Sequence, residues 1–589
     1  MERVLSSWWL MPVGGFLLSC LVGLPLCNRS HRLDAASPRL LQLFLFVLPF
    51  VIGGFFTYLN ALAAIFLLVI LILVGMRQGF LLLRLNLTTL TLLAIFGSFC
   101  ITPLWAADRG MAVFGIVRFL PVLLYGLLLL QLTDKQRELL FSLLPICGVF
   151  MTVLSLGLSV LPATQQLVTV SGRLSGFFDY PNSFALFLLL GLVVQGTKAE
   201  RQRSDWLFDG ALIVGILASG SRTVFLLLLA AVVILCILRK NLRFVLGFSA
   251  LVAGIVLFAV CLSRLAPFGD FARFFKIEKT SGSFFIRLLY MKDALPVILR
   301  NPFGLGYWGY RATLGTFQTG RYAVTFVHNG LLQLLLDIGW IPAGLLCASV
   351  GKTLFSKKAS ARTKLLLLVL LGHSLFDFNL QYLCFWLLLL ALLDFDTGRT
   401  YCIRRGRRLL SLLGGAAAAV CLWLGTGDFF LQTGHTNACL EVTPFCTQAQ
   451  ITRLTQLTDA PQLADAAERI LRLNKTCSVA YNAKANAAFS DGDILLTVQF
   501  KEQALRCNRY SLKSYCDYFN KLVYARDRYK EAGDEASAEY CRQKLLAIPA
   551  MLAQVERDSD PLAWKIGKSP SMELPAPYLK TLADLQNSD

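Results

Sequence analysis

Charge is scarce in this chain, and titratable bases are scarcer still. Only 16% of its 589 residues are Asp, Glu, Lys or Arg, and four are histidine. Strict apolar–polar alternation is missing as well: the hydrophobic runs are continuous, which excludes a transmembrane β-barrel. No Cys-x-x-C occurs and no Cys/His spacing suits zinc, so no metal and no cofactor are expected. The cysteines inside the apolar runs (Cys20, Cys100, Cys147, Cys236, Cys261, Cys347, Cys384, Cys421) read as small packing residues. Met1 to Cys27 has the length of a signal sequence. It lacks a basic run before its apolar core and a small-x-small cleavage site, and so reads as a retained helix.

What remains is a chain that is 56% hydrophobic, with a mean hydropathy of +0.61 and apolar runs recurring from residue 9 to residue 426. The expected fold class is all-α, a polytopic helical membrane protein. Fourteen spans are expected, at 8–26, 40–54, 58–76, 86–102, 111–131, 139–161, 181–196, 206–220, 222–238, 243–262, 326–349, 363–378, 380–395 and 408–426. About twelve of them form a core, with one extra on each side. The net charge of +20 invites a nucleic-acid reading. The basic residues, however, lie mostly in short loops between spans, and no compact basic domain carries them, so no nucleic-acid partner is expected. Basic loops at 28–39, 198–203, 239–243, 352–364 and 399–408 should be cytoplasmic. The loop at Arg173, the turn at Arg222, the polar stretch 263–325 and everything after residue 426 then face outward.

The expected domains are an N-terminal helix and cytoplasmic loop (1–39), a membrane core (40–395) with a large external loop (263–325), and a basic loop with a final span (396–428). An extracytoplasmic helical domain (429–569) and a tail (570–589) follow. In the helical domain, Leu473-Asn474 and Cys507-Asn508 stand 34 residues apart, as do Tyr481 and Tyr515. That period is tetratricopeptide-like; an unrelated helical bundle is the alternative. A second echo, 492–505 against 533–546, is offset by 41. This domain is expected to offer a surface for a protein partner. Its six cysteines (Cys439, Cys446, Cys477, Cys507, Cys516, Cys541) permit disulfides without fixing their pairing.

Ionisable groups at the membrane face of an apolar bundle are costly without a partner or a task. Four clusters meet that condition. The first is SGRLSGFFDYPN (171–182), with Arg173, and the second is GSRT (220–223), with Arg222. The third is the segment around Arg287, Tyr290 and Asp293, which ends in Asn301-Pro302-Phe303-Gly304-Leu305-Gly306. The fourth joins His328 and Asn329 to His373, Asp377 and Asn379. Each has a plain structural alternative: a loop cation for Arg173, a snorkelling anchor for Arg222, an interfacial helix for Arg287, and a hydrogen-bonded helix cap for His328. Several cations and one base, with no carboxylate cluster suited to a metal, favour a phosphate or diphosphate ligand in an outward membrane site.

The ordered set of Arg173 in R-x2-G-x4-PN, Arg222 in SRT, Arg287 followed by NPFGLG, His328-Asn329 with Gly339, and HSLFDF resembles the O-antigen ligase/polymerase superfamily. The resemblance covers roughly residues 40–395. It implies a GT-C-type fold in a bacterial plasma membrane, with the C-terminal domain outside the cytoplasm. The implied activity is glycosyl transfer in surface polysaccharide biosynthesis, from undecaprenyl diphosphate to the hydroxyl of an acceptor glycan, lipid or protein. The implied chemistry is metal-independent and inverting. His328 and Arg287 would be catalytic, with Arg173, Arg222 and Arg287 binding the diphosphate. Asn329, His373 and Asp377 would bind acceptor or support the histidine. A transporter or flippase for a lipid-linked anionic saccharide is the alternative; against it, no repeat is seen among the spans.

Overall fold

The computed structural model describes residues 33–239, 282–403, 407–567 and 572–586, with four further positions between 247 and 254. The expected span at 8–26, all of that at 243–262 but those four positions, and the external loop over 263–281 lie outside the described residues. Helices dominate because a backbone inside lipid must satisfy its own hydrogen bonds. In chain order they begin with α1 (Leu33–Val47), α2 (Thr57–Gln78), α3 (Leu87–Ile101), α4 (Phe114–Leu129) and α5 (Leu144–Val160). They continue through α6 (Pro181–Gly196), α7 (Asp205–Ala218), α8 (Arg222–Arg239), α9 (Gly282–Arg300) and α10 (Gly309–Phe317). The membrane part ends with α11 (Gly330–Ile338), α12 (Trp340–Phe355), α13 (Ala361–Ser374), α14 (Leu383–Leu392) and α15 (Arg407–Gln432).

Among the described residues, six helical stretches are long and apolar enough to cross a membrane: Thr57–Gln78, Leu87–Leu104, Arg109–Leu129, Asp134–Val160, Arg222–Arg239 and Leu412–Gln432. Four shorter apolar helices, including Pro181–Gly196, accompany them. Fewer full-length spans than the hydropathy count arise because several expected spans are broken or sheltered. Helix α6 starts with a proline at its first turn and is buried at every residue, packed among α5, α7, α8 and α13. Because protein rather than lipid surrounds it, its length need not match the bilayer.

The expected span 326–349 is broken at Gly339, where φ is +83° and ψ −171°, a conformation close to glycine-only. The break lets the Pro302–Gly306 turn dock against it. Trp340 N–H donates to Pro302 O at 2.8 Å, and Gly306 N–H donates to Asp337 O at 3.1 Å. A Cβ on Gly339 would meet Pro302 O at 2.3 Å, and one on Gly304 would meet Gly339 N at 2.7 Å. Trp340 Nε1 also donates to Ile298 O at 3.1 Å, tying α12 to the end of α9. Two glycines thus fix how the arginine-bearing α9 sits against the helix that begins just after His328.

Strand pairing is slight but was not expected. Strand β1 (Leu81–Leu85) pairs antiparallel with β4 (Arg399–Ile403), inside what reads from the sequence as a basic loop. Strands β2 (Thr169–Val170) and β3 (Arg173–Leu174) form a small ribbon beside α5.

Helix α15 packs along α2, and the buried Asp428 carboxylate accepts from Tyr58 N–H at 2.9 Å. Beyond it, α16 (Ala460–Leu473), α17 (Ser478–Ser490), α18 (Ile494–Cys507), α19 (Leu512–Glu531) and α20 (Glu535–Arg557) pack in succession. Ile494 follows Ala460, and Leu512 follows Ser478, by the same 34 residues. The six cysteines of this region are free thiols, so the permitted disulfides are not formed here.

This region is docked on the membrane part by buried polar contacts. Asp108 is 4% exposed and accepts from Thr447 Oγ1 at 2.8 and 2.7 Å and from Asn474 Nδ2 at 3.1 Å. Burial pushes its carboxyl above the usual range, while hydrogen bonds from Met111, Thr447 and Asn474 oppose that rise. Asp560 N–H donates to Thr319 O at 2.9 Å, and Arg509 Nε donates to Gln318 O at 3.1 Å.

Gly339→Ala should destabilise the detergent-solubilised protein by at least the ~1–3 kcal/mol of such backbone strain, read as a lowered thermal midpoint. Gly344→Ala, where an added Cβ meets nothing within 4 Å, should leave it unchanged or raised. Asp108→Ala should cost about 1–3 kcal/mol and speed protease cleavage between the membrane part and α16–α20. Equal cleavage rates would refute the docking role.

Candidate active site

Helix α13 ends at Ser374, and the turn that follows carries Asp377 into the interior, where it is fully buried. A carboxylate in that position must be matched by donors and positive charge, or it would not stay ionised. Donors reach it from three separate segments and from its own turn. Tyr180 OH lies 2.9 and 3.0 Å from its two oxygens, and Asn182 Nδ2 donates at 2.7 Å. Its neighbour Phe378 donates through N–H at 2.9 Å. Arg287 Nη2 stands 3.4 Å away, and His328 Nδ1 3.3 Å away.

His328 owes its place to the start of α11. Asn329 caps that helix, accepting from Leu331 N–H at 3.1 Å and Leu332 N–H at 3.0 Å, and its Nδ2 donates to Leu375 O at 2.9 Å. His328 itself holds a left-handed backbone, with φ of +55°, uncommon outside glycine. Its ring lies edge-on to Phe378, 4.8 Å between centroids, with Tyr290 at 5.9 Å. With Nδ1 turned to Asp377, the ring's other nitrogen, Nε2, is left to face a different partner.

The arginines converge from three separate elements. Arg173, on β3, donates through Nε to Ser219 O at 2.7 Å and through Nη2 to Asn182 Oδ1 at 2.7 Å. Gly220, in the left-handed region at φ +61°, turns the chain there, so that Arg222 opens α8 on the same side. Arg287 donates through Nη1 to Phe376 O at 2.7 Å. All three line one cavity of about 420 Å³, walled also by Leu226, Phe284 and Phe376. Asn182 bridges the two halves of the site, accepting from Arg173 and donating to Asp377.

Of the residues expected from the sequence, Arg173, Arg222 and Arg287 share this cavity, and His328 adjoins it through Asp377 and Arg287. Asn329 is a helix cap. His373 is fully buried beside Asn379 and Asp377, a position that suits bracing the site and not touching an acceptor. Arg311 is placed elsewhere, over the Trp308 ring at 5.5 Å. Nearby on α9, Asp293 is held by Thr319 N–H at 2.8 Å and Tyr322 OH at 2.6 Å. Burial pushes its carboxyl up, against those hydrogen bonds. Tyr180 and Asn182 were not expected as ligands of Asp377. The signal lay in the same SGRLSGFFDYPN stretch, but which polar residue there meets the distant carboxylate cannot be read from spacing. Among the described residues, no three His, Cys, Asp or Glu side chains gather in a metal-holding group.

An all-α polytopic membrane protein with a cationic cavity beside a half-buried histidine on a buried aspartate is the class that fold and site define. Residues 208–347 match the family model described as O-antigen ligase, a stretch that contains Arg222, Arg287 and His328. The match supports the O-antigen ligase/polymerase superfamily for this chain and, with it, a membrane glycan ligase or polymerase. That family implies a lipid-linked glycan substrate and a membrane setting. No curated protein matches the chain.

Asp377→Ala would leave a guanidinium, a phenol and an amide without their shared acceptor in a buried setting. A loss of about 3–5 kcal/mol is expected, read as a lowered thermal midpoint. Asp377→Asn, which keeps the shape and removes the charge, should cost less. An unchanged midpoint in both variants would contradict the role given to this carboxylate.

Proposed function

We propose that this protein transfers a glycan from undecaprenyl diphosphate to an acceptor hydroxyl at the outer face of a bacterial plasma membrane. The observation that carries this reading is the single cavity shared by Arg173, Arg222 and Arg287, with Arg287 and His328 meeting on one carboxylate. Three guanidinium groups suit a diphosphate, and the leucine and phenylalanine wall suits the isoprenoid next to it.

In the proposed step, the acceptor hydroxyl gives its proton to His328 as its oxygen forms a bond to the sugar C1. The bond from C1 to the diphosphate oxygen breaks, and the diphosphate leaves with the electron pair. Arg287 and Arg173, with Arg222 in support, stabilise the charge that builds on it, so that no metal is called for. Asp377 keeps the imidazole turned toward the acceptor and stabilises it once protonated. Attack from the face opposite the leaving group inverts the anomeric centre. The helices after residue 434 would lie on the same outer side and bind the acceptor or a protein partner through a tetratricopeptide-like surface.

Purified protein, given an undecaprenyl-diphosphate glycan and an acceptor in the presence of a chelator, should release undecaprenyl diphosphate. His328→Ala and Arg287→Ala should each slow release by about 10²-fold or more while still inserting in membranes. Undiminished release in both variants would remove the assignment. Label that crosses sealed vesicles without being cleaved would point to transport instead. Surface glycans of a deletion strain decide the acceptor class: single-repeat chains mark a polymerase, and stored full-length lipid-linked polymer marks a ligase.

A further inference from the structure

At the other end of α13 from Asp377 lies a second, larger cavity of about 640 Å³. The fourteen residues of α13, rising about 1.5 Å each, put roughly 20 Å between the two sites. This cavity belongs to none of the chemistry described above. It is lined by Lys357 and Lys358 from the loop between α12 and α13, by Arg362 in the first turn of α13, and by Arg137 and Lys352.

The charges there do not cancel. Asp134 and Asp396 are paired with Arg137, Asp396 also with Arg84, and Asp394 with Lys352. Glu138 is the remaining carboxylate, within electrostatic reach of Arg362. Lys357 and Lys358 form no ion pair among the described residues. Two guanidinium nitrogens are buried here without a hydrogen-bond partner: Nη1 of Arg137, a residue only 6% exposed, and Nη2 of Arg362. Buried donors of this kind are costly unless an acceptor completes them. The N-terminus of α13, capped by Ser360 accepting from Thr363 N–H at 3.1 Å, opens into the same space and adds a partial positive charge.

Apolar groups line the cavity as well: Phe141, whose ring lies 5.7 Å below the Arg362 guanidinium, Leu366 and Leu392, while Phe355, beside the lining Ser356, is 88% exposed. Cations set among hydrocarbon match a molecule that carries phosphate next to acyl chains. The basic-loop rule sets residues 352–364 on the cytoplasmic side, where anionic lipids gather and basic pockets between helices hold their headgroups. We infer that this cavity binds the phosphate of an anionic phospholipid headgroup, with Arg137, Arg362 and the α13 N-terminus as donors and the two lysines as further charge.

Short-chain phosphatidylglycerol, short-chain phosphatidylcholine and inorganic phosphate, each added to the detergent-purified full chain, test this through the thermal midpoint, with native mass spectrometry counting retained lipid. Phosphatidylglycerol should raise the midpoint by several degrees and stay bound, and phosphatidylcholine should do neither. A Lys357→Gln, Lys358→Gln, Arg362→Gln triple variant should lose that response. If the triple variant folds poorly, the Lys357→Gln, Lys358→Gln pair, which alters exposed side chains only, should still weaken lipid retention several-fold. Equal responses to the two lipids, or a full response in the variants, would overturn the inference. Inorganic phosphate matching phosphatidylglycerol would overturn the lipid as the source of the anion.

Discussion

One buried carboxylate sets the terms for the rest of this structure. Asp377 is removed from solvent, and the Coulomb and hydrogen-bond requirements of a dry carboxylate have to be met by groups from other helices. Arg287, His328, Tyr180 and Asn182 come from three different stretches of chain and meet only there. Their convergence fixes the relative positions of α6, α9, α11 and α13. The catalytic proposal and the packing of the bundle therefore rest on the same contacts.

A second constraint holds the arginine-bearing and histidine-bearing parts of the site in register. The Pro302–Gly306 turn and the break at Gly339 approach so closely that neither admits a side chain. That fit ties α9, with its arginine, to α11 and α12, which follow the histidine. The C-terminal region then holds the same stretch of chain through Arg509, on Gln318, and through Asp560, on Thr319. Contacts to the site's scaffold thus come from both the membrane part and the C-terminal helices. At the opposite end of α13, unpaired cations mark a separate demand for an anion.

Much of the arrangement was legible in the sequence. Continuous apolar runs announced helices, and α6 occupies residues 181–196 as the hydropathy and Pro181 indicated. Arg173, Arg222, Arg287 and His328 stood out because charge is rare in this chain and each sits at the edge of an apolar run. Less legible was the break at Gly339, since the residues on both sides are as apolar as an unbroken span. The β1–β4 pairing joins segments over three hundred residues apart, and no local pattern foretells it. Asn329 looked like a neighbour of the histidine's chemistry and is a helix cap, a role its residue type also serves.

Composition and periodicity by themselves determined that this chain is a helical membrane protein and where its ionisable residues fall along the spans. They could do so because hydrophobic burial and backbone hydrogen bonding act locally along a helix. Only the tertiary structure decided that Asp377, and not one of the arginines, is the common point of contact, and that Tyr180 and Asn182 complete it. The same holds for the cavity at the start of α13, whose cations are paired or left over according to which helices lie alongside. Charge pairing across a bundle depends on distances between segments remote in sequence, and those distances exist only once the helices have packed.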